Sequence, residues 1–154
     1  MKFQITEEAK EVWKKADYID KYNSISDRYI TENTLEKPDK DKVIVILKNI
    51  GYSDTKYDRK ENFYSVEDKK SSKIESYINI SLKYGVLEII SGIKVISNDI
   101  YIPTTPNLVF RLLGKREELP KKPTFSNYDE LERLLKETLD LYESLKAETL
   151  KLNI

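Results

Sequence analysis

Ile74, Ser76, Ile78, Ile80, Leu82 and Tyr84 alternate with Glu75, Tyr77, Asn79, Ser81 and Lys83, and stripes of period 3.6 flank this period of two on both sides. A segment that turns its apolar residues to one side at every second position fits a strand with one buried and one wet face. Helical stripes also need cover for their apolar side. Both demands are met together in an α+β fold, in which helices and one sheet bury each other.

The elements can be read outward from this strand. Thr6 has the chemistry of an N-cap, and Glu7 and Glu8 follow where the helix dipole favours acids. Ala9, Val12, Trp13, Ala16 and Ile19 then recur at helical spacing, which predicts a first helix. Ser24 to Pro38 is more polar and predicts a turn and a short helix carrying Ile25, Tyr29 and Ile30. Residues 39–50 satisfy two patterns. Val43, Ile44, Val45 and Ile46 favour a strand by propensity, whereas Val43, Ile46, Leu47 and Ile50 form a helical stripe that ends at Gly51. Helix is the better match, because Asp39 or Asp41 supplies a cap and Gly51 a left-handed stop.

Phe63, Tyr64 and Val66 predict a further strand over Asn62 to Glu67. After the central strand, Leu87, Ile89, Ile93 and Val95 alternate around Ser91, so a hairpin turns near Tyr84 and Gly85. Ser97, Asn98 and Asp99 supply the next turn, into Ile100 to Ile102, giving an antiparallel meander of about four strands. Thr105 and Pro106 open a short helix that stops at Gly114. A basic linker from Lys115 to Pro123 leads to the last element. Ser126 and Asp129 have capping-box spacing, and Leu131, Leu134, Leu135, Thr138, Tyr142, Leu145, Thr149 and Leu152 make a long stripe, predicting a helix over residues 127–152 packed on the sheet. Residues 1–154 are expected to form one globular domain, with Trp13, Ile78, Ile80, Ile89, Leu134 and Leu135 in a shared core.

The chain contains no histidine and no cysteine. That removes the usual ligands of transition metals and the side chain that most readily exchanges protons near neutrality. An enzyme would have to use carboxylates, a lysine, a tyrosine or a lysine-activated serine, and no diagnostic spacing assembles them. Glu75 and Glu88 are the one carboxylate pair that the central hairpin could bring together. Surface carboxylates with lysine neighbours are the commoner reading of such a pair. Asp54 and Asp58 lack the repeated oxygen donors and central glycine of a calcium loop. No enzyme activity, cofactor or metal is expected. Lysine plus arginine equals aspartate plus glutamate, 27 against 27, so no excess of positive charge exists to neutralise phosphates, and nucleic acid is not an expected partner. Apolar runs such as Val43 to Leu47 fall far short of the ~20 residues that span a bilayer, and MKFQITEEAK lacks the apolar core of a signal peptide. The cytosol is the expected location, with no membrane partner.

What remains is a binding surface. Tyrosine is the abundant aromatic, with 11 copies against four phenylalanines and one tryptophan, and it is favoured at interfaces because its ring buries area while its hydroxyl keeps a hydrogen bond. Tyr52 and Tyr57 lie in the hydrophilic stretch GYSDTKYDRKEN beside Asp54, Asp58, Arg59 and Glu61, as aromatic anchors within a charged rim would. Tyr77 and Asn79 lie on the polar side of the central strand and complete the candidate contact set. The alternative for the stretch is an ordinary loop joining a helix to a strand. The terminal helix carries seven acids against four bases, a pattern that suits a solvated face with pairs such as Glu132 and Lys136. Its leucines could also support self-association, although Thr138 and Thr149 interrupt any strict heptad.

The order helix, helix, meander, short helix and long terminal helix, with KNIGYSDTKYDRKENFYSVED in the middle and PTFSNYDELERLLKETLDLYESLK near the end, resembles small bacterial immunity proteins encoded beside polymorphic toxins of the contact-dependent inhibition type. The resemblance implies a role and no particular binding residues: an inhibitor that binds a cognate toxin domain in the cytosol, as a monomer or weak dimer when free, and occludes its active site or substrate entry. The main rival is a non-enzymatic adaptor or phage-encoded protein that self-associates through the C-terminal helix.

Overall fold

The computed structural model describes residues 6–66 and 71–152. The chain is α+β, as its two periods require. Helices α1 (Glu7–Lys15), α2 (Tyr18–Arg28) and α3 (Lys40–Asn49) precede strands β1 (Thr55–Asp58), β2 (Phe63–Val66), β3 (Ile74–Ser81), β4 (Glu88–Val95) and β5 (Ile100–Pro103), and helices α4 (Pro106–Leu112) and α5 (Tyr128–Leu150) follow. The sheet is an antiparallel meander in the order β1-β2-β3-β4-β5.

Thr6 caps α1 as its chemistry requires, accepting from the Ala9 N–H at 3.1 Å. The expected first stripe is divided between two helices, because Asp17 takes a left-handed conformation (φ 53°) that breaks the ladder after Ala16. Ile19 therefore belongs to α2. That helix also absorbs Ile25, while Tyr29 lies at its end and Ile30 is exposed, so no separate short helix forms between Ser24 and Pro38. Lys40–Asn49 is helical, as expected for this stretch. The Asp39 carboxylate accepts from the N–H groups of Asp41 and Lys42, and Gly51 (φ 108°) ends the helix.

The sheet has one strand more than expected. Residues 55–58, which carry only one apolar residue, pair with Phe63–Val66 in a hairpin whose Cα partners run from Thr55 and Val66 to Asp58 and Phe63. Four residues, two of them charged, are too few to show a strand by period. The second strand of this hairpin begins one residue later than expected, and Glu67 lies outside the described residues. At the β3–β4 connection Tyr84 (φ 62°) and Gly85 (φ 73°) are both left-handed. A Cβ on Gly85 would stand 3.0 Å from the Leu35 nitrogen, so this position requires glycine for its conformation and for the close approach of the α2–α3 segment.

The long terminal helix begins at Tyr128, and its cap lies one residue beyond the expected one. Asn127 accepts from the Glu130 N–H at 2.8 Å, while the Glu130 carboxylate accepts from the N–H and hydroxyl of Ser126. Glu130 outcompetes Asp129 because its longer side chain reaches back across the turn. Leu131, Leu134, Leu135, Leu139 and Leu145 are buried in the same apolar cluster as Trp13, Ile78 and Ile80, with Ile89 half-buried against it. Leu150 is the exposed large apolar residue of this helix, so its leucine stripe forms core rather than a seam for a second copy. Lys136 pairs with Asp140 at 3.2 Å, not with Glu132.

The N-terminal helices are locked to distant chain. The Trp13 indole N–H donates to the Pro103 carbonyl at 2.8 Å, and the Tyr18 hydroxyl donates to that of Thr104 at 2.9 Å. Thr105 precedes α4 but does not cap it. Its hydroxyl donates to the Ser91 carbonyl and accepts from the Ser91 N–H, extending the β4–β5 contact past the end of the strand. A cavity of about 30 Å³ lies between α2, β4 and α5, too small for an organic ligand.

Candidate functional site: the open face of the sheet

One side of the sheet meets the helices through Tyr64, Val66, Ile74, Ile78, Ile80, Ile93, Val95 and Ile102, all buried. Alternation puts Lys56, Ser65, Tyr77, Asn79, Ile90 and Lys94 on the other side. Register then assembles them. Asn79 stands opposite Ser65 on one flank and Ile90 on the other, Ser65 stands opposite Lys56, and Tyr77 stands opposite Gly92.

Gly92 explains the centre of this face. Having no side chain, it leaves room for the Tyr101 ring to lie across the strand, where an added Cβ would be 2.7 Å from two ring carbons. The ring so placed brings its hydroxyl to 2.8 Å from the Tyr77 hydroxyl. Burial, and then the bond to Tyr77, push the Tyr101 phenol well above its ordinary value, so its hydroxyl stays a neutral hydrogen-bonding group at physiological pH. Beside them Ile90 is 49% exposed and Tyr77 42% exposed. Charges at the margin are matched: Lys94 bonds Asp99 at 3.1 Å, Lys122 bonds Glu88 at 3.1 Å, and Glu75 stands opposite Lys94. An aromatic and aliphatic centre within a rim of paired charge is the anatomy of a protein-binding patch.

The residues expected from the sequence to carry the contact fall into three places. Tyr77 and Asn79 lie at the centre of the open face, and alternation puts Asp58 on the same side at the β1 margin. Tyr52 and Tyr57 turn inward, packing on the core. The Tyr52 hydroxyl donates to Glu143 of α5 at 2.7 Å, and the Tyr57 ring lies 4.9 Å from that of Tyr64 while its hydroxyl donates to Asn62 at 2.6 Å. Both tyrosines thus hold the hairpin to the body of the protein. Asp54, Arg59 and Glu61 are exposed, and the Asp58 carboxylate accepts from the Glu61 N–H at 3.0 Å, closing the hairpin turn. Across residues 52–61 the acids Asp54, Asp58 and Glu61 are balanced by Lys56, Arg59 and Lys60, so the hairpin presents mixed charge instead of an acidic surface.

Ile90 and Tyr101 were not singled out by sequence reasoning. The signal was Gly92, an isolated glycine inside an alternating strand, which marks a close approach of other atoms. Glu75 and Glu88 do not converge, since Glu75 stands opposite Lys94 and Glu88 opposite Ser81, near the other end of the β3–β4 ladder. Among the described residues no three Asp or Glu side chains form a group that could hold a metal ion, and no helix is long and apolar enough to cross a membrane. Comparison of the chain with protein-family models, with curated proteins and with solved structures found no match.

Proposed function

We propose that the protein is an immunity-type inhibitor, acting in the cytosol, that binds a cognate toxin domain with the open face of its sheet and occludes the toxin's active site or substrate entry. The observation that carries this reading is the uncovered centre of Tyr77, Tyr101, Ile90 and Asn79 on a hydrogen-bonded meander. A surface fixed by strand pairing loses little freedom on binding, which favours tight association without any reactive group. Occlusion also agrees with a chain that lacks histidine and cysteine.

Co-expression with the toxin encoded beside this gene tests the reading. Wild-type protein should protect the cell, whereas Tyr77→Ala combined with Ile90→Asp should lose protection and raise the dissociation rate, because a buried aromatic anchor acts on dissociation and is worth about 2 kcal/mol or more. Tyr57→Ala should act through hairpin stability, and Asp58→Ala mainly on the association rate. Full protection by a correctly folded Tyr77→Ala, Ile90→Asp variant would refute binding through this face. Concentration-dependent dimerisation abolished by the same pair would assign the face to a second copy of the chain instead.

A further inference from the structure

Among the described residues, Asp17, Asn62, Tyr84 and Asp99 are the non-glycine residues with a left-handed backbone. In that region the Cβ crowds the following carbonyl oxygen, and asparagine and aspartate tolerate it because their short polar side chains bond locally. Tyr84 (φ 62°, ψ 18°) breaks this rule, although glycine or a short polar residue stands at every other left-handed position described. The fold gains nothing from the ring in return. Tyr84 is 74% exposed, more than any other large apolar residue described, and it lies outside the apolar cluster. Its side chain makes no hydrogen bond or ring contact among the described residues. An outlier that strains the backbone and packs on nothing points to a role outside the fold.

The backbone beneath this ring is held from several sides. The Gly85 N–H donates to the Leu82 carbonyl at 3.2 Å and the Val86 N–H to that of Lys83 at 3.1 Å. The Phe125 N–H donates to the Gly85 carbonyl at 3.1 Å, and the Leu87 N–H to that of Pro123 at 2.8 Å. Gly85 itself is buried against Thr34 and Leu35. The turn is thus tied to the α2–α3 segment and to residues 123–125, and it presents the ring from a fixed base, which limits the ordering cost of a contact.

The same turn closes the ladder that carries the open face. Ser81 and Glu88 are the last pair of that ladder, and register sets the half-buried Phe63 beside Ser81 on the open side. Tyr84 follows Tyr77 by seven residues, at most about 24 Å at ~3.4 Å per residue. A standard interface buries about 800 Å² on each partner, a patch roughly 32 Å across, so one partner is large enough to cover the Tyr77–Tyr101 pair and the turn together.

We infer that Tyr84 is a second anchor of the toxin contact, received by an apolar recess of the toxin beside the area that the open face covers. The inference rests on the proposed binding through that face and adds to it a position outside the alternating strands.

Tyr84→Asn in the full chain separates the two roles of the residue, because asparagine suits the left-handed backbone and removes the ring. The urea midpoint of this variant should equal or exceed that of the wild-type chain. Its affinity for the toxin encoded beside this gene should fall by about tenfold or more, through faster dissociation. The Tyr77→Ala, Ile90→Asp variant is measured in parallel. Loss of affinity in that variant with none in Tyr84→Asn overturns the Tyr84 inference and leaves binding through the open face standing. The reverse pattern, or no binding by the wild-type chain, overturns both. A lowered midpoint for Tyr84→Asn also overturns the inference, by making the ring part of the fold.

Discussion

Gly92→Ala sets a methyl group beneath the Tyr101 ring. The new Cβ would stand 2.7 Å from the ring's Cε2 and Cζ atoms, closer than real contacts allow, so the ring must tilt outward by roughly 1 Å to restore an ordinary separation near 3.5 Å. The backbone accepts alanine, since Gly92 is not among the residues with positive φ. Two effects oppose each other. Alanine in place of a strand glycine contributes about 0.5–1 kcal/mol through lower unfolded-state entropy, while the Tyr77–Tyr101 hydrogen bond, partly exposed, is worth about 0.5–1.5 kcal/mol and is lost when the ring tilts. Net stability in urea should therefore change by less than about 1 kcal/mol, with an unchanged m-value. If the open face binds the proposed toxin partner, affinity for it should nevertheless fall, because the two rings no longer form one surface. A loss of stability above about 2 kcal/mol would refute this reasoning by making the ring a pinned part of the core. Unchanged stability together with unchanged affinity would refute the role of the tyrosine pair.

Ile80, 0% exposed and paired with Tyr64 and Ile89 across the ladders, should lose about 2–5 kcal/mol on replacement by alanine, measured by denaturant unfolding. Glu137 titrates below its ordinary value of 4.5: burial alone pushes it up, but the Arg28 guanidinium, with its NH2 at 2.6 Å, and the nearby Tyr29 hydroxyl more than offset this. A lowered carboxylate contributes stability that is complete above the unfolded value and disappears as pH falls through the folded one. Glu137→Gln should thus cost no more than about 1 kcal/mol at pH 7, the pair being partly exposed, and the difference from wild type should shrink as pH falls below the ordinary carboxylate value and vanish once it is below the lowered folded one.

Helices α3 and α5 and the two eight-residue strands were legible because each carries enough residues to show its period. The hairpin strand Thr55–Asp58 was not. Its turn is set by the left-handed Asn62 and the Asp58 carboxylate, and its inward ring, Tyr57, is one residue in a polar run. The shift of the terminal helix cap from Ser126 to Asn127 reflects a competition that spacing alone does not decide, since Ser126 lies close enough to bond Glu130 as well. On the open face, alternation located Tyr77 and Asn79. The neighbours of Tyr77 came from register, which sets it opposite Gly92, and from the Tyr101 ring that crosses Gly92 from 24 residues on, a contact with no local trace beyond that glycine. Tyr52 shows the converse: its hydrophilic neighbours suggested exposure, whereas its hydroxyl is bound 91 residues away at Glu143.

The meander bears on how the chain reaches its native state. Every strand pairs with its neighbour in sequence, so the sheet closes only short loops and can zip from the β3–β4 ladder outward at small entropic cost. The helices α1 and α2 are different. Trp13 and Tyr18 find their acceptors 90 and 86 residues on, and Tyr29 receives the Thr124 N–H at 2.8 Å. Both helices are synthesised before β5 and α5, so their apolar faces at Val12, Trp13, Tyr22 and Ile25 have no complete cover until those elements exist.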